Sequence, residues 1–241
     1  MKKLLPILIL ILIGCSEPEN KIKPGLEPKP LNLDTLNLRN ESYYPINSDK
    51  GYSGSVFTLN ENGQKGSEGT LKNGKPNGLW KEYYINGQII MVGTYNNGKK
   101  QGTWKEFFGI NGQLKQEVSY KDGKKNGPFK FYYENGQIRE ERTYIYGKVN
   151  GLLKKYNENG NLSEKITYKD NKRNGIYKSY HYVNEQLKTE KFYKDNIENG
   201  PLKNYHYNGK LWEEGTYKDG KLKGHYKLYN DNGKLIEEKW Y

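Results

Sequence analysis

From Gly54 to its last residue the chain repeats itself every 24 or 25 residues. The units open on Gly54, Gly78, Gly102, Gly127, Gly151, Gly175, Gly200 and Gly224, and the seventh shows the pattern in full: Gly200-Pro-Leu-Lys-Asn-Tyr-His-Tyr-Asn-Gly-Lys-Leu-Trp-Glu-Glu-Gly-Thr-Tyr-Lys-Asp-Gly-Lys. A fixed period of this size means small supersecondary units stacked on one another, none of which can bury its apolar side alone. Function is therefore expected on an extended surface rather than in one enclosed site.

With the opening glycine numbered zero, each unit holds two short strand-like runs, at offsets 1–6 and 11–17. They are separated by Asn-Gly, at Asn62-Gly63, Asn86-Gly87, Asn111-Gly112, Asn135-Gly136, Asn159-Gly160, Asn208-Gly209 and Asn232-Gly233. Asn-Gly between strand formers predicts a type I′ hairpin turn, which needs two positive φ angles. Further turns close most units, at Asn73-Gly74, Asn97-Gly98, Asp122-Gly123 and Asp219-Gly220. The expected fold is all-β: an elongated, single-layer antiparallel meander of about eight hairpins spanning residues 54–241.

A two-residue turn at offsets 8 and 9 makes offsets that sum to 17 face each other. The charge columns agree with this register. Lysine holds offset 3 at Lys81, Lys105, Lys130, Lys154, Lys178, Lys203 and Lys227; glutamate stands opposite at Glu141, Glu190, Glu214 and Glu238, and at Glu117 if an extra residue near Gly109 is absorbed in the loop. Opposite charges facing across strands contribute ~0.2–1 kcal/mol per pair. The register also sets Trp80 opposite Gly93 and Leu202 opposite Gly215, so that a large side chain can cover a cross-strand glycine. Alternation puts Trp80, Trp104, Phe129, Leu153 and Leu202 on one face with the Tyr95 column, and the Lys–Glu ladder on the other. The ladder face also carries Tyr83, Phe107, Tyr132, Tyr156, Tyr180, Tyr205 and Tyr229.

The chain starts Met1-Lys2-Lys3, followed by an apolar run from Leu4 to Ile13 and then Gly14-Cys15-Ser16. This reads as an export signal, residues 1–14, because ten apolar residues are too few for a mature transmembrane helix. Leu12-Ile13-Gly14-Cys15 resembles a bacterial lipobox, which implies that Cys15, the only cysteine, becomes a lipidated N-terminus. Residues 15–50, with Pro18, Pro24, Pro28, Pro30 and Pro45, read as a stiff tether. The formal charge of +12 falls to about +10 without Lys2 and Lys3. Export, and lysines interleaved with acids, speak against nucleic acid as partner. Mean hydropathy is low, −1.07, but 23 tyrosines can hold a thin, partly wet sheet together.

The unit G-x-W-K-x-Y-Y-x-N-G-x-L-x-x-E-G-x-Y-K-D-G-K resembles the MORN-repeat variant of bacterial proteins, some of which carry the name of a toxin–antitoxin antitoxin family. The resemblance covers roughly residues 54–241, with about ten positions recurring in eight units. It implies a hairpin per repeat and a binding or scaffolding role, with no defined ligand. The first unit departs most, as a capping repeat would, and the sixth has Asn184-Glu185 in place of Asn-Gly.

Little in the repeats points to catalysis. His181 and His206 share offset 6 one unit apart, but two strand spacings, roughly 9.5 Å, are long for one zinc held at ~2.0–2.1 Å. No metal or cofactor is expected, and His225 is expected to be exposed. Glu140-Glu141, Glu213-Glu214 and Glu237-Glu238 recur with the repeat and point to opposite faces, unlike the converging carboxylates of a glycosidase. The candidate binding surface is the face bearing the Tyr83 column with Lys105, Lys130, Lys178 and Lys203. The functional expectation is a non-enzymatic, lipid-anchored envelope protein, at the outer membrane if the cell is Gram-negative, that binds another protein or an envelope polysaccharide. A toxin-masking antitoxin or immunity protein is the alternative, suggested by the family name alone.

Overall fold

The computed structural model describes residues 29–241; the expected signal, Cys15 and residues 16–28 of the expected tether lie outside the described residues. Eight hairpins follow one another: Gly54–Leu59 with Lys65–Lys72, Gly78–Tyr83 with Ile89–Asn96, Lys99–Phe107 with Leu114–Lys121, and Lys124–Tyr132 with Ile138–Ile145; then Gly151–Tyr156 with Leu162–Lys169, Lys172–Tyr180 with Leu187–Lys194, Ile197–Tyr205 with Leu211–Lys218, and His225–Tyr229 with Leu235–Trp240. Each hairpin also pairs antiparallel with the next, so they build one open, 20-stranded sheet as a meander. The fold is the all-β repeat sheet that the periodicity implies.

The turns divide differently from the sequence expectation. The turn inside each hairpin is not type I′. In the second hairpin, Gly87 N–H donates to Tyr84 C=O at 2.9 Å, Tyr84 N–H donates to Gln88 C=O at 2.8 Å, and Gly87 alone takes positive φ, +82°. This is a type I turn followed by a glycine bulge, the commonest three-residue hairpin loop. Asn86 is free to bond instead: its Oδ1 accepts from Gln88 N–H, and its Nδ2 donates to Gly109 C=O, 23 residues on. The same strap recurs from Asn62 to Ile85, Asn111 to Glu134, Asn135 to Glu158 and Asn208 to Asp231. True type I′ turns join the hairpins. Asn73 and Gly74 have φ +51° and +80°, Asn97 and Gly98 +48° and +78°.

The register holds at offsets 0–4: Trp80 faces Gly93 and Lys203 faces Glu214. The extra residue near Gly109 is taken up by the loop, leaving Lys105 opposite Glu117. At offset 5 the bulge slips the pairing by one, so Tyr83 faces Ile89 and Tyr156 faces Leu162.

With no second layer, the core is a stripe along one face. Val56, Trp80, Trp104, Phe129, Leu153 and Leu202 are all buried. Their neighbours along the stripe are tyrosines: Tyr95 meets Trp80 edge-on at 5.9 Å and Trp104 at 4.8 Å, and Phe129 meets Tyr144 at 5.9 Å. Cations lie over the rings, Lys100 on Trp104 at 3.9 Å and Arg142 on Phe129 at 4.4 Å; such contacts add ~0.5–1 kcal/mol where exposed. The rings do cover glycines, but across the hairpin boundary. A Cβ on Gly69 would lie 1.9 Å from the Trp80 ring, and one on Gly93 would lie 2.1 Å from Trp104. The tryptophan leans onto the preceding hairpin, not onto its own partner strand.

Residues 29–50 are not a tether. Leu31–Asn32 adds a parallel strand to the edge of the first hairpin, Leu31 beside Val56, which among the described residues is the one departure from antiparallel order. Asn32 then caps a 3₁₀ turn, Leu33–Thr35, that buries Leu33 and Leu36 against Val56, Leu71, Trp80 and Trp104. A ribbon, Asn37–Arg39 with Ser42–Tyr44, is tied down where Tyr43 N–H donates to Gly74 C=O at 2.8 Å. Pro30 and Pro45 flank these elements rather than interrupt them, so the leucines between are free to pack. The segment covers an edge strand that would otherwise be open to foreign strands.

Candidate functional site: an open tyrosine and lysine face

On the face opposite the aromatic core, the strand pairings line up one continuous row: Phe57, Glu68, Lys81, Val92, Lys105, Glu117, Lys130, Glu141, Lys154, Lys165, Lys178, Glu190, Lys203, Glu214, Lys227, Glu238. Offset 3 alternates with offset 14, and Glu117, Glu141, Glu190 and Glu214 each stand between a lysine of their own unit and one of the next. Ion pairs form both ways. Within a hairpin, Lys105 meets Glu117 at 3.3 Å and Lys178 meets Glu190 at 3.1 Å. Between hairpins, Lys81 meets Glu68 at 3.3 Å and Lys154 meets Glu141 at 2.7 Å. Lys130 and Lys203 each lie between two glutamates without a close ion pair, and Lys203 is exposed.

The tyrosine column is tied to this row. Tyr156 donates its hydroxyl to Glu141 Oε1 at 2.7 Å, Tyr229 to Glu214 at 2.8 Å and Tyr132 to Glu117 at 3.3 Å; Tyr83 does the same with Glu68. Each bond reaches back 15 residues into the preceding unit. Where the row loses its glutamate at Val92, the tyrosine one unit on is replaced by Phe107, so both polar partners are absent together. Tyr205 has Glu190 at the equivalent position without a hydrogen bond. Tyr180 is the exception, because its place in the row is held by Lys165.

These bonds and partial burial shift the titration of several groups on the face. Lys65, then Tyr83 and Lys81, donate to the Glu68 carboxylate and hold it down at about 2. Partial burial, with the Glu68 bond second, pushes Tyr83 up to about 12. Lys154 and Tyr156 likewise lower Glu141, while partial burial raises Tyr132, Tyr156 and Tyr229. Glu68 and Glu141 are thus held as ionised acceptors, and the closest glutamates of the row, such as Glu117 and Glu141, are separated by two strands, roughly 9.5 Å. The paired glutamates split between faces: Glu141 binds Lys154, whereas Glu140 meets Arg142 at 2.9 Å.

The histidines are part of the frame. His181 Nε2 lies 3.2 Å from Tyr205 C=O and His206 Nε2 3.0 Å from Tyr229 C=O. These are the places where Tyr84 and Tyr133 donate their hydroxyls to Phe107 and Tyr156 C=O. His225 is half-buried rather than exposed, paired with Glu238 and stacked on Trp240 at 4.6 Å. No group of three or more potential metal-ligating side chains occurs among the described residues.

The structure therefore brings Tyr83, Phe107, Tyr132, Tyr156, Tyr180, Tyr205 and Tyr229 onto one face with Lys105, Lys130, Lys178 and Lys203, as the alternation required. Sequence reasoning overlooked Lys165. Its signal was visible as the one lysine in a column of glutamates.

The MORN repeat variant model matches residues 76–97, 100–122, 125–146, 149–170, 198–219 and 222–240. The chain belongs to that family, whose repeats typically mediate protein or membrane interactions. The two hairpins without a match are the first, which carries the N-terminal cap, and the sixth, where Glu185 takes the left-handed place of glycine at φ +58° in a longer loop. Comparison with curated proteins finds no match.

Proposed function

We propose that this is a non-enzymatic, lipid-anchored envelope protein whose repeat sheet binds another protein or an envelope polymer through the tyrosine and lysine face. The observation that carries the reading is the row itself. One face offers a side-chain pattern that recurs along the sheet, its tyrosines partly buried and several of them hydrogen-bonded to its glutamates, which suits a ligand that is itself extended. The lipobox-like Leu12-Ile13-Gly14-Cys15 supports anchoring through Cys15, and Ser16 supports outer-membrane sorting in a Gram-negative cell.

Two measurements test it. Metabolic fatty-acid labelling is expected to mark the wild type and not Cys15→Ala; equal labelling refutes the anchor. Crosslinking capture from intact envelopes is expected to be lost when Lys105, Lys130 and Lys203 are changed together to Gln, with circular dichroism unchanged. Capture that survives in this folded variant moves binding off the face.

A further inference from the structure

The charge row is broken in one place. Lys165 stands between Lys154 and Lys178 on adjacent strands, so three lysines lie side by side across ~10 Å. Like charges directly opposed across strands are destabilising, and the outer two turn away, Lys154 to Glu141 and Lys178 to Glu190. Among the described residues Lys165 makes no ion pair, and Tyr180 beside it lacks the glutamate acceptor that Tyr132, Tyr156 and Tyr229 have. The Val92–Phe107 position shows the alternative, in which both polar partners are removed. Here the tyrosine is kept and the charge is reversed. Immediately beside the lysines on the same face lie Leu152, Ile176 and Phe192, exposed at 44%, 45% and 39%.

We propose that this break is a binding site for one acidic side chain of a partner protein's extended segment. Its carboxylate takes the place in the row that glutamate holds elsewhere, bonding Lys165 and the Tyr180 hydroxyl, while the neighbouring apolar side chains of the segment cover Leu152, Ile176 and Phe192. The inference rests on the reading of this face as the binding face. A point anion fits better than an anionic bilayer. Glu141 and Glu190 flank the break, and further glutamates recur along the row, so a continuous negative plane meets repulsion wherever it extends past the three lysines.

The test uses the whole protein and a fluorescein-labelled peptide, Val-Thr-Val-Glu-Val-Thr-Val, with its Glu→Gln counterpart, read by anisotropy. The Gln peptide and the Lys165→Glu protein should each bind at least about tenfold more weakly, roughly the effect of 1.4 kcal/mol. Lys234→Gln, exposed at the loop of the last hairpin and outside the row, should bind within about twofold of wild type. Lys165→Glu completes the ladder and gives Tyr180 an acceptor, so its Tm should equal or exceed that of wild type, which separates lost binding from lost fold. Wild type that binds neither peptide, or both equally, overturns the proposal. So does Lys165→Glu binding like wild type, or Lys165-dependent capture of phosphatidylglycerol vesicles, which would assign the break to a membrane surface. Failure of the face reading shows separately, as envelope capture that persists in the Lys105, Lys130 and Lys203 variant.

Discussion

Tyr156 donates its hydroxyl to Glu141 Oε1 at 2.7 Å, and Lys154 donates to the same oxygen at 2.7 Å. Residues 15 and 13 positions apart thereby join one hairpin to the one before it. The repeated contact holds the sheet together across its unit boundaries, where no covering layer helps. Removing the hydroxyl alone leaves the carboxylate one donor short, whereas replacing both partners by apolar groups imitates Val92 and Phe107. We expect Tyr156→Phe to cost ~1 kcal/mol and Glu141→Val somewhat more. The double variant should be less destabilised than the sum by ~0.5–1.5 kcal/mol. Urea denaturation of the four proteins measures this, and strict additivity would deny the coupling.

Stability should hold a plateau in pH with two named limits. Glu68 has its carboxyl lowered from 4.5 to about 2, so its contribution is full above pH about 4.5 and is lost as pH falls towards 2. Tyr83 is raised from 10.0 to about 12, so its contribution is full below pH about 10 and is lost as pH rises towards 12. Glu68→Gln should flatten the acid limb, and Tyr83→Phe the alkaline one. Thermal melts from pH 2 to 12 that show no change in either limb would contradict the assignment.

Gly93 is held by the tryptophan of the next unit, since a Cβ there would come within 2.1 Å of the Trp104 ring. Gly93→Ala should displace the indole and cost ~1–3 kcal/mol, lowering Tm by several degrees and shifting Trp emission to the red. Gly93→Ala with Trp104→Leu should recover part of the loss. An unperturbed melt for Gly93→Ala would mean that the ring does not lie on the glycine.

Leu33 buries its side chain against the first hairpin. Leu33→Ala should cost ~2–4 kcal/mol, but locally, because repeat arrays lose order from their ends. Hydrogen exchange should rise at Val56 and Leu71 while the amides of Ile166 and Leu202 stay protected. Uniform loss of protection would show that the cap controls the whole sheet.

The sequence by itself determined the number of units, the hairpin in each, the pairing of Lys203 with Glu214 and the face that carries Tyr132 and Tyr156. All of these follow from a period of 24 or 25 residues and a side-chain period of two, which need no knowledge of distant contacts. Only the tertiary structure decided which neighbour each side chain chooses. Trp80 has a glycine on both adjacent strands and lies over Gly69; Glu141 has a lysine on both and bonds Lys154, of the next unit. The turns show the same division. Asn-Gly is compatible with type I′ or with a type I turn and bulge, and the second prevails inside the hairpins because it leaves the Asn86 amide free to bond Gly109, a partner visible only once the hairpins are stacked. The leucines of residues 31–36 were hidden among prolines for a similar reason: their burial depends on an edge that exists only after the first repeat has folded.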